Sequence, residues 1–244
     1  MRKKSLLLVV WMLLIGGVAV SQETAQGAYD DLARRVEQEI RDEKKVRIED
    51  LKVLHNNGTI YLQGIANAFG SHYLAEKEAL KVDGVNNVVN DIEVKAADVS
   101  NTEIEGEAIR KIRSHLKGSP FDLISIRVNN GFITLTGNVR DRTLVSDAME
   151  SVMWIKGVRG VENRIEYASI SAGDERLRQA IHRRLYREFP QHFVGADPSI
   201  FILVNSGRVR LVGFVESNVT REKIGVLVRS FPGVLSVENE LQAN

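Results

Sequence analysis

The chain has 244 residues, 43% of them hydrophobic, with 33 basic against 32 acidic residues and no cysteine. That length and apolar content allow sizeable cores in one or two ordinary domains or in several small ones, while the missing cysteine excludes disulfides, thiolate metal sites, thiol redox chemistry and a lipid-bearing cysteine. Arg2, Lys3 and Lys4 supply three of the cations; without them 30 basic residues face 32 acidic ones, a net charge of −2 that leaves no nucleic-acid footprint.

Those three cations precede an apolar run from Leu6 to Val20 that ends in Ala19-Val20-Ser21. A basic start, a short apolar stretch and small residues at its end are the pattern of a secretory signal peptide. Residues 1–21 are expected to be that signal, with Gln22 as the new N-terminus and retention as an uncleaved membrane anchor as the rival outcome. The compartment this implies is a bacterial periplasm. Small and polar residues over 22–30 form a tether, and three copies of one unit follow, at 31–97, 103–167 and 174–241.

In the first copy Leu32, Val36 and Ile40 recur at helical spacing among charged residues, which predicts an amphipathic helix with one face to cover. A strand through Leu51 and Val53, the turn His55-Asn56-Asn57-Gly58 and a second strand through Ile60, Leu62 and Gly64 follow. A second helix carries Ala75, Ala79 and Val82 and is expected to stop at Gly84. Val85, Val88, Asn90 and Ile92 form the last strand. The second copy repeats this order with Ile104, Ala108 and Ile112, then Ile124, Ile126 and Val128, the turn Asn129-Asn130-Gly131, and Ile133, Leu135 and Gly137. Ala148, Val152 and Ile155 precede Gly157, and Val158, Val161, Asn163 and Ile165 return. The third has Leu177, Ile181 and Leu185, then Ile200, Ile202 and Val204, the turn Asn205-Ser206-Gly207, and Val209, Leu211 and Gly213. Ile224, Val228 and Phe231 lead to Gly233, Val234, Val237, Asn239 and Leu241.

Turn glycine to strand glycine is 6 residues in every copy, strand glycine to the next glycine 20, and that glycine to the asparagine 6. Chance does not produce this spacing three times, so the chain is a tandem array of small α-β-β-α-β domains.

A hydrophobic strand, Asn-x-Gly, a strand ending in Gly, a helix, and Gly-Val-x-x-Val-x-Asn followed by an apolar residue together resemble the BON domain of bacterial envelope proteins. The resemblance covers nearly all of the chain beyond the tether. It implies an α+β fold in which each domain lays two helices on one face of a three-stranded mixed sheet. It also implies a non-enzymatic periplasmic protein, linked to osmotic or envelope stress and to contact with phospholipid membranes. The matched positions are structural. Gly58, Gly131 and Gly207 serve as turn residues, Gly64, Gly137 and Gly213 let a neighbouring backbone or helix approach, and Gly84, Gly157 and Gly233 cap helices. Asn90, Asn163 and Asn239 are expected to bracket nearby backbone. His55 departs from the pattern by standing where the other copies have Val128 and Val204, which predicts a more solvated hairpin end.

Catalytic chemistry finds no support in the residues. His55, His72, His115, His182 and His192 are scattered over the copies without metal-ligand spacing, no G-x-S-x-G elbow occurs, and Gly157-Val158-Arg159-Gly160 follows a helix and precedes a strand, the reverse of a phosphate loop. No enzyme activity, metal or cofactor is expected.

Binding is expected where the copies differ. Net charge runs from −2 in the first copy through +1 in the second to +2 in the third. On the first helix of the third copy, Arg176, Arg183 and Arg187 fall together opposite Leu177, Ile181 and Leu185. Three guanidiniums on one stripe suit lipid phosphates, and a solvated face is the plain alternative. The connection from Ile181 to Ile200 spans 19 residues, against 11 from Ile40 to Leu51 and 12 from Ile112 to Ile124. Its Phe189 and Phe193 fit either a membrane wedge or a cap on a neighbouring domain, and the cap is preferred because exposed aromatics usually find protein to cover them. Trp154 falls opposite Val152 beside Asp147 and Glu150, which favours an interdomain or partner contact over anionic lipid. The expected partner is an anionic phospholipid membrane surface. The alternative is a protein scaffold in an envelope assembly, with envelope proteins as partners and no direct lipid binding.

Overall fold

The computed structural model describes residues 31–168, 171–194 and 197–243. The expected signal peptide and tether lie outside them. The first copy comprises α1 (31–42), β1 (Ile48–Asn56), β2 (Thr59–Ala66), α2 (Phe69–Ala79) and β3 (Asn87–Val94). The second comprises α3 (Asn101–Leu116), β4 (Leu123–Asn129), β5 (Phe132–Val139), α4 (Thr143–Val152) and β6 (Gly160–Tyr167). The third comprises α5 (Ala172–Glu188), a 3-10 turn (Pro190–His192), β7 (Ile200–Asn205), β8 (Arg208–Val215), α6 (Asn218–Arg229) and β9 (Ser236–Ala243).

Each copy is a three-stranded mixed sheet flanked by helices, with its second strand central. The tight turn makes β4 antiparallel to β5, pairing Val128 with Ile133, while the α4 crossover returns β6 parallel to β5, pairing Ile133 with Val161. Asn130 and Gly131 both have positive φ, 50° and 80°. That is the geometry of a type I′ turn, whose twist matches its strands. Gly137 answers a different need: a Cβ there would lie 2.0 Å from the Leu123 carbonyl oxygen, and the same holds at Gly213 against Ser199.

On β5, Ile133 and Leu135 are buried and Thr136 is exposed, so one sheet face is covered. Ile104, Ala108 and Ile112 of α3 and Val152 of α4 cover it. Leu177, Ile181 and Leu185 of α5 and Val228 of α6 do the same in the third copy. In the first, Val36, Ile40, Ile60, Leu62 and Ala75 are fully buried. Ser100, Ser171 and Ser217 start α3, α5 and α6, each hydroxyl accepting the amide three residues on.

The helices before the third strands end earlier than the glycine spacing suggests. α4 stops at Val152, and the chain then makes two tight turns, Ile155 N–H to the Val152 carbonyl and Val158 N–H to the Ile155 carbonyl. Gly157 (φ 90°) therefore belongs to the turn into the strand and not to a helix cap, as do Gly84 and Gly233. Trp154 likewise lies beyond α4. His55, expected at a solvated hairpin end, is half-buried, and its Nε2 accepts the Gly58 amide at 2.7 Å.

By compactness the described chain forms two units, 31–65 with 74–93, and 66–73 with 94–243. Within the second unit the cores of the second and third copies meet, because Phe121 of the α3–β4 connection belongs to the third copy's core.

Candidate functional site

The third copy carries the features expected to bind. Leu177, Ile181 and Leu185 turn one side of α5 into the core. Arg176, Arg183 and Arg187 on the opposite side are all exposed. The Arg176 Nε donates to the Ala172 carbonyl at 3.0 Å, and Arg184 beside the stripe pairs with Glu188 at 2.6 Å.

Two charged residues of α5 go the other way. Asp174 and Arg178 lie within the roughly 100°-wide arc that Leu177, Ile181 and Leu185 define, and both are buried. The Asp174 carboxylate accepts the Ser206 and Gly207 amides, each at 2.9 Å, and so ties the hairpin turn to the helix. The Arg178 guanidinium donates to the Val204 carbonyl on edge strand β7 and meets Glu175 at 3.3 Å. Sequence reasoning passed over both, although their place inside the apolar arc was the signal.

Phe189 and Phe193 are half-buried against the third copy's core. Between them His192 clamps the long connection: Nδ1 lies 2.7 Å from the Ser199 hydroxyl, Nε2 lies 3.0 Å from Glu216, and the His192 carbonyl accepts the Ser199 amide at 2.9 Å. Serine, histidine and glutamate in a row are the components of a nucleophilic triad. Here both backbone and side chain of Ser199 are committed to the same loop as His192, so the three act as a bracket. Among the described residues, no group of three metal-ligating side chains converges, and no helix is long and apolar enough to cross a membrane.

A second cluster joins the second and third copies. The Phe193 ring meets His182 edge-on at 5.1 Å, and His182 meets Phe121 at 5.4 Å. Arg140 lies over Phe121 at 4.9 Å, bonds Asp122 at 2.8 Å and reaches Glu175 at 3.4 Å. The Ile202 amide donates to the Pro120 carbonyl at 2.7 Å, and Arg113 pairs with Asp197 at 3.2 Å. Burial works to raise the Asp122 carboxyl, but the Arg140 and Ser119 hydrogen bonds outweigh it and hold it below the usual carboxylate range. Trp154 is half-buried with its indole against Gly70, whose amide donates to the Met153 carbonyl at 2.9 Å.

The remaining expected positions lie in the scaffold. The Asn163 side-chain oxygen accepts the Ile165 amide at 3.0 Å. Asn239 does the same for Leu241 and also donates to the Arg221 carbonyl at 2.9 Å. Asn90 accepts the Ile92 amide at 3.3 Å.

The three copies match a family model: the BON domain model covers residues 28–96, 105–169 and 173–244. The chain belongs to the BON domain family. Three BON domains stand in tandem. No curated protein matches the chain. Among solved structures it is similar to the C-terminal domain of CdsD, the structural protein of the type III secretion system of Chlamydia trachomatis. That likeness is at 14% identity and a TM-score of 0.25, over 88% of this chain and 98% of that one. It is also similar to the PrgH periplasmic domain at 10% identity and a TM-score of 0.21, over 80% of this chain and 96% of that one.

Proposed function

We propose that the protein is a non-enzymatic periplasmic envelope protein that associates with anionic phospholipid surfaces through its third BON domain, in osmotic or envelope stress protection. The observation that carries this is the stripe of Arg176, Arg183 and Arg187, all three exposed along α5 while the apolar side of the same helix is committed to the core. Guanidiniums so placed hold phosphate oxygens through paired, charge-assisted hydrogen bonds. Phe189 and Phe193, half-buried against the third copy's core, hold the connection that follows the arginine-bearing helix. Each cation near an anionic bilayer contributes about 1 kcal/mol, so three give weak, salt-sensitive attachment that a second anchor would strengthen.

Co-sedimentation of the protein with vesicles, with and without anionic lipid and over a salt series, tests this. Binding should require anionic lipid, decline with salt, and disappear on replacing Arg176, Arg183 and Arg187 with Glu. Binding indifferent to lipid charge, or unaltered in the triple variant, would favour a protein scaffold without direct lipid contact.

A further inference from the structure

Each sheet has two edges, and the copies do not treat them alike. The Ala168 amide donates to the Val139 carbonyl at 2.8 Å, so along β6 the even-numbered amides face β5 and those of Val161, Asn163 and Ile165 face out. The Asn163 side chain takes the Ile165 amide, and Asn90 and Asn239 take the aligned Ile92 and Leu241 amides. One asparagine per copy thus interrupts the row of outward amides on its last strand, which hinders the addition of another strand.

The opposite edges are the first strands, β1, β4 and β7. On β7 the outward groups are occupied: the Ile202 amide donates to the Pro120 carbonyl at 2.7 Å, and the Val204 carbonyl accepts the Arg178 guanidinium. In β1 Asp50, at φ 51°, breaks the extended run. β4 has neither device. Its pairing of Asn129 with Phe132 across the tight turn leaves the amides and carbonyls of Ile124, Ile126 and Val128 facing out. Among the described residues these groups meet no partner. Glu105 stands where α5 has Arg178, and its carboxylate has no hydrogen to donate.

A row of outward amides and carbonyls is matched by the backbone of another extended strand. We infer that β4 is a strand-pairing edge whose occupant is β4 of a second copy of the chain, antiparallel about a twofold axis through Ile126. β4 runs from Leu123 to Asn129, so an axis through its midpoint pairs the whole strand with its twin. Ile126 then faces the partner's Ile126, Ile124 the partner's Val128, Ser125 the partner's Arg127, and Leu123 the partner's Asn129. Residues directly opposite in an antiparallel pair share a face. The register therefore sets apolar on apolar on the helix side and opposes no like charges. Moving the axis to Arg127 would set that residue on itself. Moving it to Ser125 would set Val128 on the partner's Asp122, which is committed to Arg140 at 2.8 Å. A contact one strand wide buries less than the roughly 1,200 Å² of a stable interface, so the dimer is weak, with a dissociation constant on the order of micromolar or above.

The chain has no cysteine, so introduced thiols report the register on the full chain. Ser125 and Arg127 are both exposed. Under mild oxidation an equimolar mixture of Ser125→Cys and Arg127→Cys chains should form the mixed disulfide at least tenfold faster than either variant links to itself. The reason is that position 125 lies opposite the partner's 127, while like positions sit on the longer diagonal. Sedimentation equilibrium gives a second reading: Ser125→Lys, opposite the partner's Arg127, should weaken association by roughly threefold or more, and Ser125→Glu should strengthen it as much. The Leu6–Val20 run is common to every variant, so association through it does not respond to position 125. Unchanged circular dichroism and melting would verify that the variants fold. Self-links as fast as the mixed one, or association indifferent to the charge at position 125, would overturn the inference. So would a parent that stays monomeric at every concentration, and the edge would then be left to a strand of another protein.

Discussion

Asp174 and Arg178 place charge inside the apolar arc of α5, where a charge is costly unless it is fully bonded. Asp174 meets that condition through two backbone amides of the β7–β8 turn. The aligned residue of the second copy, Asn101, accepts the Gly131 amide at 3.2 Å, so a polar acceptor in the first turn of the leading helix is the device by which a copy holds its hairpin. Truncating Asp174 takes the acceptor from two amides of the hairpin turn. Asp174→Ala should cost about 2–4 kcal/mol and Asp174→Asn about half as much, read from the midpoint of chemical denaturation. A loss below about 0.5 kcal/mol would mean that water replaces the carboxylate.

At the scale of elements, the repeat was legible because each copy states it twice, in glycines that the backbone requires and in apolar residues at period 2 or 3.6. The arginine stripe was legible for the same reason, since helical spacing fixes sides. The junction between the second and third copies was not. Phe121, Arg140 and His182 meet across 42 residues from Arg140 to His182, and no local period records such a meeting. Its chemistry predicts a dependence on pH. Burial, and then the charge of Arg183, lower the His182 value below its ordinary 6.5. A histidine whose folded value is depressed binds its proton more readily unfolded. The stability it contributes is therefore complete above about pH 6.5 and declines as pH falls below it. Asp122, also lowered, adds a second loss further down, as pH falls from the ordinary carboxylate value through its own depressed one. Unfolding curves between pH 8 and pH 5 should show the first loss, and His182→Gln should flatten it; an unchanged slope in that variant would place the effect elsewhere.

For the whole molecule, three BON domains and two compact units predict different thermal behaviour. Independent repeats would melt in three steps, each governed by its own core. Phe121 belongs by sequence to the second copy and by packing to the core of the third, beside Leu185 and Ile202, so the residues from 94 to 243 lose a shared element when either copy opens. Cooperativity follows such shared burial and not the repeat boundaries. Calorimetry of the full chain should therefore resolve two transitions, the larger from the unit containing 94–243. Phe121→Ala removes a buried aromatic worth about 3–5 kcal/mol and takes away the ring on which Arg140 and His182 converge, so the larger transition should move down and divide in two. Three transitions in the parent chain would show instead that the junction is too weak to couple the copies, and the pH dependence argued for His182 would then report on the third copy alone.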